Sequence, residues 1–457
     1  MTPDRRWLVL GICCSALLLV SLDNTILNVA LPSLRTDLHA SVSGLQWTLD
    51  AYVVVLASLL MLSGSMADRF GRRRVFLTGL VMFTAGSTLC SLAPGLGWLI
   101  AFRAVQAVGG SMLSPVAMSI VTNVFTDPKE RARAIGIWGG VVGISMAAGP
   151  IVGGALVGSV GWRSVFWINV PVGLGALALT LRYVPESRAP KPRRFDPAGQ
   201  LLMILFLGSL TYGIIEGAAA FFGIAAAALV ALLAVGIRRD EPLVEPRLFR
   251  SVPLAGATLT AVCTFAALAG FLFLTMLQLQ ERRGLSALAA GVHLLPMAVM
   301  CLVLAPVSGR LVGTRGPRLP LVLAGVALTA SGVLFAVFRA ESSDPLLFTA
   351  FVLFGAGFGL VNAPITNTAV SGLPRSRAGV AAALASTSRQ VGTSLGVAVV
   401  GAHVGAAGWW IITGCGAAVL ALGTITTGRW AARTAERAAA RLDCDGCDQA
   451  RVPVTTT

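Results

Sequence analysis

The sequence predicts an all-α polytopic membrane protein in which two bundles of six helices flank two further helices, fourteen in all. Three observations lead there. Of 457 residues, 56% are hydrophobic and 12% charged, against about 25% charged and 45–50% apolar in soluble globular chains, which excludes a water-soluble enzyme. Apolar windows of spanning length, about 20 residues, recur along the whole chain. One loop sequence in the first half returns in the second.

The windows fall into groups of six, two and six. The first group lies near 7–29, 47–66, 75–93, 97–123, 132–156 and 165–183, the pair near 198–216 and 220–237. The last group lies near 254–278, 287–311, 319–338, 346–368, 378–402 and 408–428. Arg5-Arg6 ahead of the first window resembles the start of a secretion signal, but Asp23, Asn24 and Asn28 continue the segment, so it reads as a retained helix. The organisation is therefore an N-terminal bundle (1–183), a linker with two extra helices (184–250), a C-terminal bundle (251–430) and a tail (431–457). An even number of spans puts both termini on one side.

SGSMADRFGRR (63–73) aligns without gaps to SGRLVGTRGPR (308–318), matching Ser63 with Ser308, Gly64 with Gly309, Gly71 with Gly316 and Arg73 with Arg318. Both loops follow the second helix of their group. Parallel six-helix repeats related by an axis along the membrane normal are a transporter architecture, with the substrate path at the repeat interface.

The net charge of +15 would point to nucleic acid in a soluble protein. Here, 28 of the 35 basic residues fall in segments on the side of the termini, five fall opposite, and two lie inside helices. The bias of basic residues toward the cytoplasm puts both termini there and removes the need for a nucleic-acid partner. The chain has 33 arginines to two lysines and is rich in Ala and Gly, a composition of GC-rich bacterial genomes, so the expected location is a bacterial inner membrane. A monomer is expected.

Six of eight cysteines sit in apolar runs and read as small hydrophobes. Cys444 and Cys447 have CxxC spacing but stand alone in the tail, whereas structural zinc takes four ligands; an incidental tail or a lone metal or redox pair both fit. No cofactor is expected. The sequence carries no phosphate loop, metal cluster or nucleophile constellation, so neither enzymatic chemistry nor ATP as an energy source is expected.

Two intramembrane charges share a depth. Asp23 and Arg103 each lie about six residues, or roughly 9 Å at 1.5 Å per residue, from the outer end of their windows. Charges in hydrocarbon are costly and face a bundle interior or a water-filled path. Protonation of the acid would release the arginine, coupling proton flow to a conformational change; a static pair that only fixes packing is the alternative. In GSMADRFGRRR (64–74), Gly64, Asp68, Arg69, Gly71, Arg72 and Arg73 form a candidate conformational switch, with simple positive-inside anchoring as its alternative. GGVVGISMAAGPIVGGALVG (139–158) carries small residues every four positions, a pattern for close helix contact in lipid, and Pro150 favours a bend.

Together these segments resemble the major facilitator superfamily, specifically its fourteen-helix drug:proton antiporter branch. LDNTILNVALP (22–32) looks like that branch's first-helix signature, GSMADRFGRRR like the superfamily loop motif, and RAVQAVGG (103–110) like the helix 4 motif, with Ala107 where glycine is usual. GPIVGG (149–154) resembles the antiporter motif of helix 5, and WRSVFWINVPVG (162–173) the entry into helix 6. The resemblance spans about residues 7 to 430. It implies the major facilitator fold, proton coupling through Asp23 and Arg103, and export, the last carried by Gly149, Pro150, Gly153 and Gly154. Some relatives carry an acid in helix 10, where LSALAAGVHLLPMAVM (285–300) has only His293. Arg389, in SRQVG (388–392), finds no matching acid, and backbone carbonyls, Asn362 or substrate are candidate partners.

The expected function is thus a proton-coupled antiporter exporting amphipathic organic compounds by alternating access, its partners being small molecules, protons and the bilayer. A dedicated exporter of one endogenous metabolite, antibiotic, lipid or peptide fits equally well, and a transport-inactive sensor of the same fold is the reading from another class. Candidate cavity contacts are Asn28, Trp47, Asp50, Tyr52, Gln106, Phe271, His293, Asn362 and Arg389, with Asp50 and Glu216 alternatively solvated at the rim.

Overall fold

The computed structural model describes residues 3–189, 195–239, 242–338, 344–371, 378–428 and 430–437. Cys444 and Cys447 lie outside them. The first six helices are α1 (Pro3–Asp37), α2 (Val42–Phe70), α3 (Arg72–Ser91), α4 (Leu96–Val124), α5 (Pro128–Ser159) and α6 (Ser164–Tyr183). The inserted pair is α7 (Pro197–Glu216) and α8 (Ala219–Arg238). The last six are α9 (Val252–Arg282), α10 (Ala287–Arg315), α11 (Arg318–Phe338), α12 (Asp344–Val370), α13 (Ala378–Ala402) and α14 (Ala406–Ile425). Among the described residues thirteen of these are long and apolar enough to cross a membrane. The other, α13, has the length, but its middle carries Ser386, Thr387, Ser388, Arg389 and Gln390.

Local chemistry sets the helix starts. Asp127 accepts from the backbone amides of Lys129 and Glu130 at the head of α5, and Asp196 from Gly199 at the head of α7, in each case satisfying orphan donors of the first turn. Gly71 and Gly316, matched in the sequence repeat, end α2 and α10 with positive φ values of 110° and 79°, a backbone that glycine adopts without a Cβ clash. One expectation needs correction. The first helix runs to Asp37 instead of ending near 29, because its distal turns are buried through Ala30, Leu31 and Leu34 and Trp162 Nε1 donates to Asp37 Oδ2 at 2.9 Å.

The two groups of six pack by one scheme: α1 with α5 as α9 with α13, α2 with α4 as α10 with α12, and α3 with α6 as α11 with α14. The repeat serines do parallel work. Ser63 Oγ lies 2.9 Å from Ser111 Oγ on α4, and Ser308 Oγ donates to the Leu360 carbonyl of α12 at 2.5 Å.

The halves meet along two seams, α2 against α13 and α5 against α10. The inserted α7 packs on both α2 and α13 and so covers the first seam from outside, while α8 packs on α7. With the termini taken to mark one face of the bundle, the cross-half hydrogen bonds and ion pairs seen among the described residues all lie toward the opposite, distal face. Gln46 Nε2 donates to the Val397 and Ala398 carbonyls at 3.1 and 2.8 Å, Gln280 Nε2 to the Val29 carbonyl at 3.0 Å, and Arg35 pairs with Glu281 at 2.8 Å. The structure is closed at its distal face.

Candidate functional site

α1 and α4 bring Asp23 and Arg103 together in the core of the N-terminal bundle. Arg103 Nη1 donates to Asp23 Oδ2 at 2.5 Å, and the two residues are 0% and 3% exposed. The second carboxylate oxygen accepts from Gln106 Nε2 at 3.0 Å and from Asn169 Nδ2, on α6, at 2.9 Å. Arg103 Nη1 also donates to Gln106 Oε1 at 2.8 Å, its Nε to the Thr48 carbonyl at 3.3 Å, and its guanidinium carbon stands 4.2 Å from the centre of the Tyr52 ring. Breaking a buried pair by removing one charge strands the other in a dry interior, at a cost of about 3–5 kcal/mol. Neutralising Asp23 therefore weakens its hold on Arg103 while leaving the Gln106 and Thr48 contacts to retain or reposition the guanidinium.

Another face of α1 looks into a small void between the halves, about the size of one water molecule. Thr25 and Asn28 of α1 line it, their polar atoms turned to backbone carbonyls, with Met146 and Pro150 from α5, Met276 from α9, and Leu294 and Met297 from α10. Methionine is flexible and polarizable and suits surfaces that adapt to different apolar shapes. The carboxylate and the cavity thus sit on two faces of one helix.

The sequence pattern of the Major Facilitator Superfamily matches residues 13–397. The chain belongs to that superfamily. Among curated relatives of this superfamily member, the multidrug resistance protein Stp of Mycobacterium tuberculosis is 37% identical over 85% of this chain and 74% of its own length. The tetracenomycin C resistance and export protein of Streptomyces glaucescens is 39% identical over 87% and 76%, and the multidrug efflux pump LfrA of Mycolicibacterium smegmatis 35% over 88% and 81%. A D-xylose-proton symporter crystal structure superposes with a TM-score of 0.66 at 15% identity, covering 91% of this chain and 97% of that one. A bacterial Spinster homologue gives 0.63 at 19%, covering 96% and 99%. Both carry the fold alone. Membership makes the protein a multi-pass membrane transporter of small molecules.

In this superfamily member the loop motif docks on the segment after α6. Asp68 pairs with Arg72 at 3.1 Å, and its carbonyl accepts from Ala189 N. Arg72 N donates to the Ser187 carbonyl, Arg73 N to Glu186 Oε1 at 3.1 Å, and the Arg73 guanidinium to the Leu181 carbonyl. A Cβ on Gly71 would meet the Glu186 carboxylate at 2.6 Å. Gly64 has open space beside it, and Arg69 lies over the Phe195 ring at 5.1 Å. In the helix 5 motif a Cβ at Gly149 would run into Thr25 Oγ1, one at Gly153 would sit 3.1 Å from Ile26, and one at Gly154 2.6 Å from Leu288 Cα of the other half.

Of the expected cavity contacts, Asn28 lines the cavity and several others lie elsewhere. Tyr52 and Gln106 belong to the Asp23–Arg103 shell, drawn there by the guanidinium. Phe271 is 0% exposed and stacks on Phe354 with ring centres 3.9 Å apart, inside an aromatic cluster of the C-terminal bundle. Trp47 donates Nε1 to Glu216 at 2.7 Å, tying α2 to α7 at the distal face. Asp50 is 0% exposed, which overturns its reading as a solvated rim residue; Ser394 of α13 stands beside it. His293 Nδ1 donates to its own helix's Ala289 carbonyl at 2.7 Å, and the ring stacks on Phe348. Arg389 reaches Thr366 Oγ1 at 2.7 Å on α12, one turn beyond the half-buried Asn362.

The sequence reading passed over Asn169, Glu186 and the methionines of the cavity. Asn169 stands inside the WINVP stretch, where a polar residue at a helix break was the available signal.

Proposed function

We propose that this transporter is a proton-coupled antiporter exporting amphipathic organic compounds across a bacterial inner membrane by alternating access, with the face carrying the termini cytoplasmic. The dry Asp23–Arg103 pair carries this reading. Proton uptake by Asp23 removes the charge holding Arg103, and the side chain relaxes against Thr48, Gln106 and Tyr52. Because Asp23 shares α1 with Thr25, Asn28 and Val29, a change in its hold on α4 is felt at the cavity wall. The halves then rock about the cavity, opening the distal seams to release substrate and closing them to return.

The methionine-rich wall supports a broad range of apolar-bodied substrates, as do relatives described as multidrug pumps. A dedicated exporter of one endogenous metabolite, antibiotic, lipid or peptide is the second reading, favoured by the 39% identical tetracenomycin C resistance and export protein. Substrate-stimulated proton movement in proteoliposomes, run across a compound panel on the wild type and on Asp23→Asn, tests both. The expected result is proton flux with several unrelated compounds and its loss in the variant. Full proton-driven efflux by Asp23→Asn would overturn the mechanism, and response to one compound alone would favour the second reading.

A further inference from the structure

Asp50 has no place in the Asp23 network or the cavity wall, yet it is the other fully buried acid of the N-terminal bundle. It lies on α2, eight residues and roughly 12 Å into the helix from its distal end at Val42. Neither of its carboxylate oxygens has a hydrogen-bond partner of acceptable geometry. The polar group beside it is the Ser394 hydroxyl of α13, which lies 3.2 Å from Thr211 Oγ1 of α7. Three helices thus converge on this carboxyl, one from each half and one from the insertion.

The site is sealed at both ends. On the distal side Gln46 bonds the Val397 and Ala398 carbonyls, and Trp47 bonds Glu216. Toward the terminal face Val54, Ala57, Met203 and Leu207 form an apolar cluster against which Val391 packs. The charged and titratable groups on the surrounding helices are engaged elsewhere. Arg103 holds Asp23, Glu216 takes Trp47, Arg389 reaches Thr366, His403 bonds the Val399 carbonyl, and the Tyr212 ring packs on Trp47 and Phe221.

An ionised carboxylate with no cation and a single poorly aligned hydroxyl beside it is strongly disfavoured in such a place, whereas a neutral carboxylic acid is tolerated. We propose that Asp50 is a second proton-binding site, one that the α2–α13–α7 seam can close over only when the carboxyl is protonated. Opening the seam admits water and lets the group ionise; a proton taken from the distal side allows it to shut. Asp50 thereby makes distal acidity favour the distal-closed state. This inference rests on the proton-driven reading of the transporter, but it concerns a different carboxyl and a different movement.

The test uses the full chain in an Asp23→Asn background without native cysteines, with spin labels at Ser43→Cys and Val404→Cys reporting the width of the seam. With Asp50 present, the closed population is expected to rise about tenfold or more as the pH falls from about 9 to 5. With Asp50→Asn, a neutral near-isostere, the seam is expected to stay closed throughout. A second measurement avoids any question of folding: the infrared carbonyl band of a neutral carboxylic acid should persist at about pH 7.5 with Asp50 and vanish with Asp50→Asn. An unchanged pH response in Asp50→Asn, a seam indifferent to pH with Asp50 present, or absence of the band would each overturn the proposal. None of these outcomes depends on Asp23, so the proposal can fail while the transport reading stands.

Discussion

Asn169 Nδ2 lies 2.9 Å from Asp23 Oδ1 and 3.0 Å from Ser87 Oγ, so α6 and α3 join α1 and α4 in holding the carboxylate. The break in α6 at Ile168 puts Asn169 at the start of the following helical run, where its side chain reaches the bundle centre. A hydrogen bond to a charged group contributes about 1.5–3 kcal/mol. Asn169→Ala is therefore expected to slow proton-driven efflux by about tenfold or more while the protein still reaches the membrane. Vesicle efflux rates normalised to transporter content check this.

Gln46 and Gly401 fit closely across the α2–α13 seam. A Cβ on Gly401 would lie 2.6 Å from Gln46 Nε2, the atom that donates to the Val397 and Ala398 carbonyls. Gly401→Ala should displace the amide and lose both bonds, each about 1 kcal/mol net. The distal-open population should rise roughly tenfold or more, read as faster alkylation of a cysteine placed on the seam.

The Arg35–Glu281 pair crosses the same face, but its side chains are 41% and 33% exposed. Exposed ion pairs contribute about 0–1 kcal/mol and are screened by salt. Arg35→Ala should change the same alkylation rate less than fivefold, with the difference vanishing at high salt.

Glu186 caps α3 through Arg73 N and fills the space beside Gly71. Glu186→Ala should destabilise the protein by about 1 kcal/mol, as loss of a helix-start acceptor does. Gly71→Ala should be worse, since φ is +110° there and the added methyl would press on the carboxylate. Thermal unfolding in detergent ranks the two.

The six, two and six organisation was legible because spanning helices must be apolar over a fixed length, and the paired charges were legible because hydrocarbon makes isolated ones costly. What those charges touch was less so. Tyr52 and Gln106 read as cavity residues because polar groups in apolar helices have two homes, a water-lined path or a buried ion pair, and spacing along one helix does not separate them. Asp50 read as a rim residue because its distance from the helix end is local information, while its burial involves partners far along the chain, Ser394 of α13 among them. Phe271 was misplaced for a similar reason: its partners Phe335, Phe351, Phe354 and Trp409 come from three other helices.

The glycines of α5 separate close contact from mere smallness. Residues Ala287 and Leu288 of α10 oppose Gly154 with backbone atoms at 2.6 Å from an added Cβ, and Gly291 would bring a Cβ against the Pro150 carbonyl. Backbone cannot swing aside as a side-chain tip can, so relief requires the two helices to part, and they are the second seam between the halves. Gly158, one turn on in the same small-residue pattern, has nothing within 4 Å. Gly154→Ala should therefore hold the distal face open and reduce efflux by at least about tenfold, whereas Gly158→Ala should leave transport within about twofold and gain slightly in helix stability, alanine being about 1 kcal/mol the better helix former. Efflux and seam alkylation measured on both variants check the contrast. Equal effects would mean that the four-residue spacing, rather than backbone contact with α10, is what α5 requires.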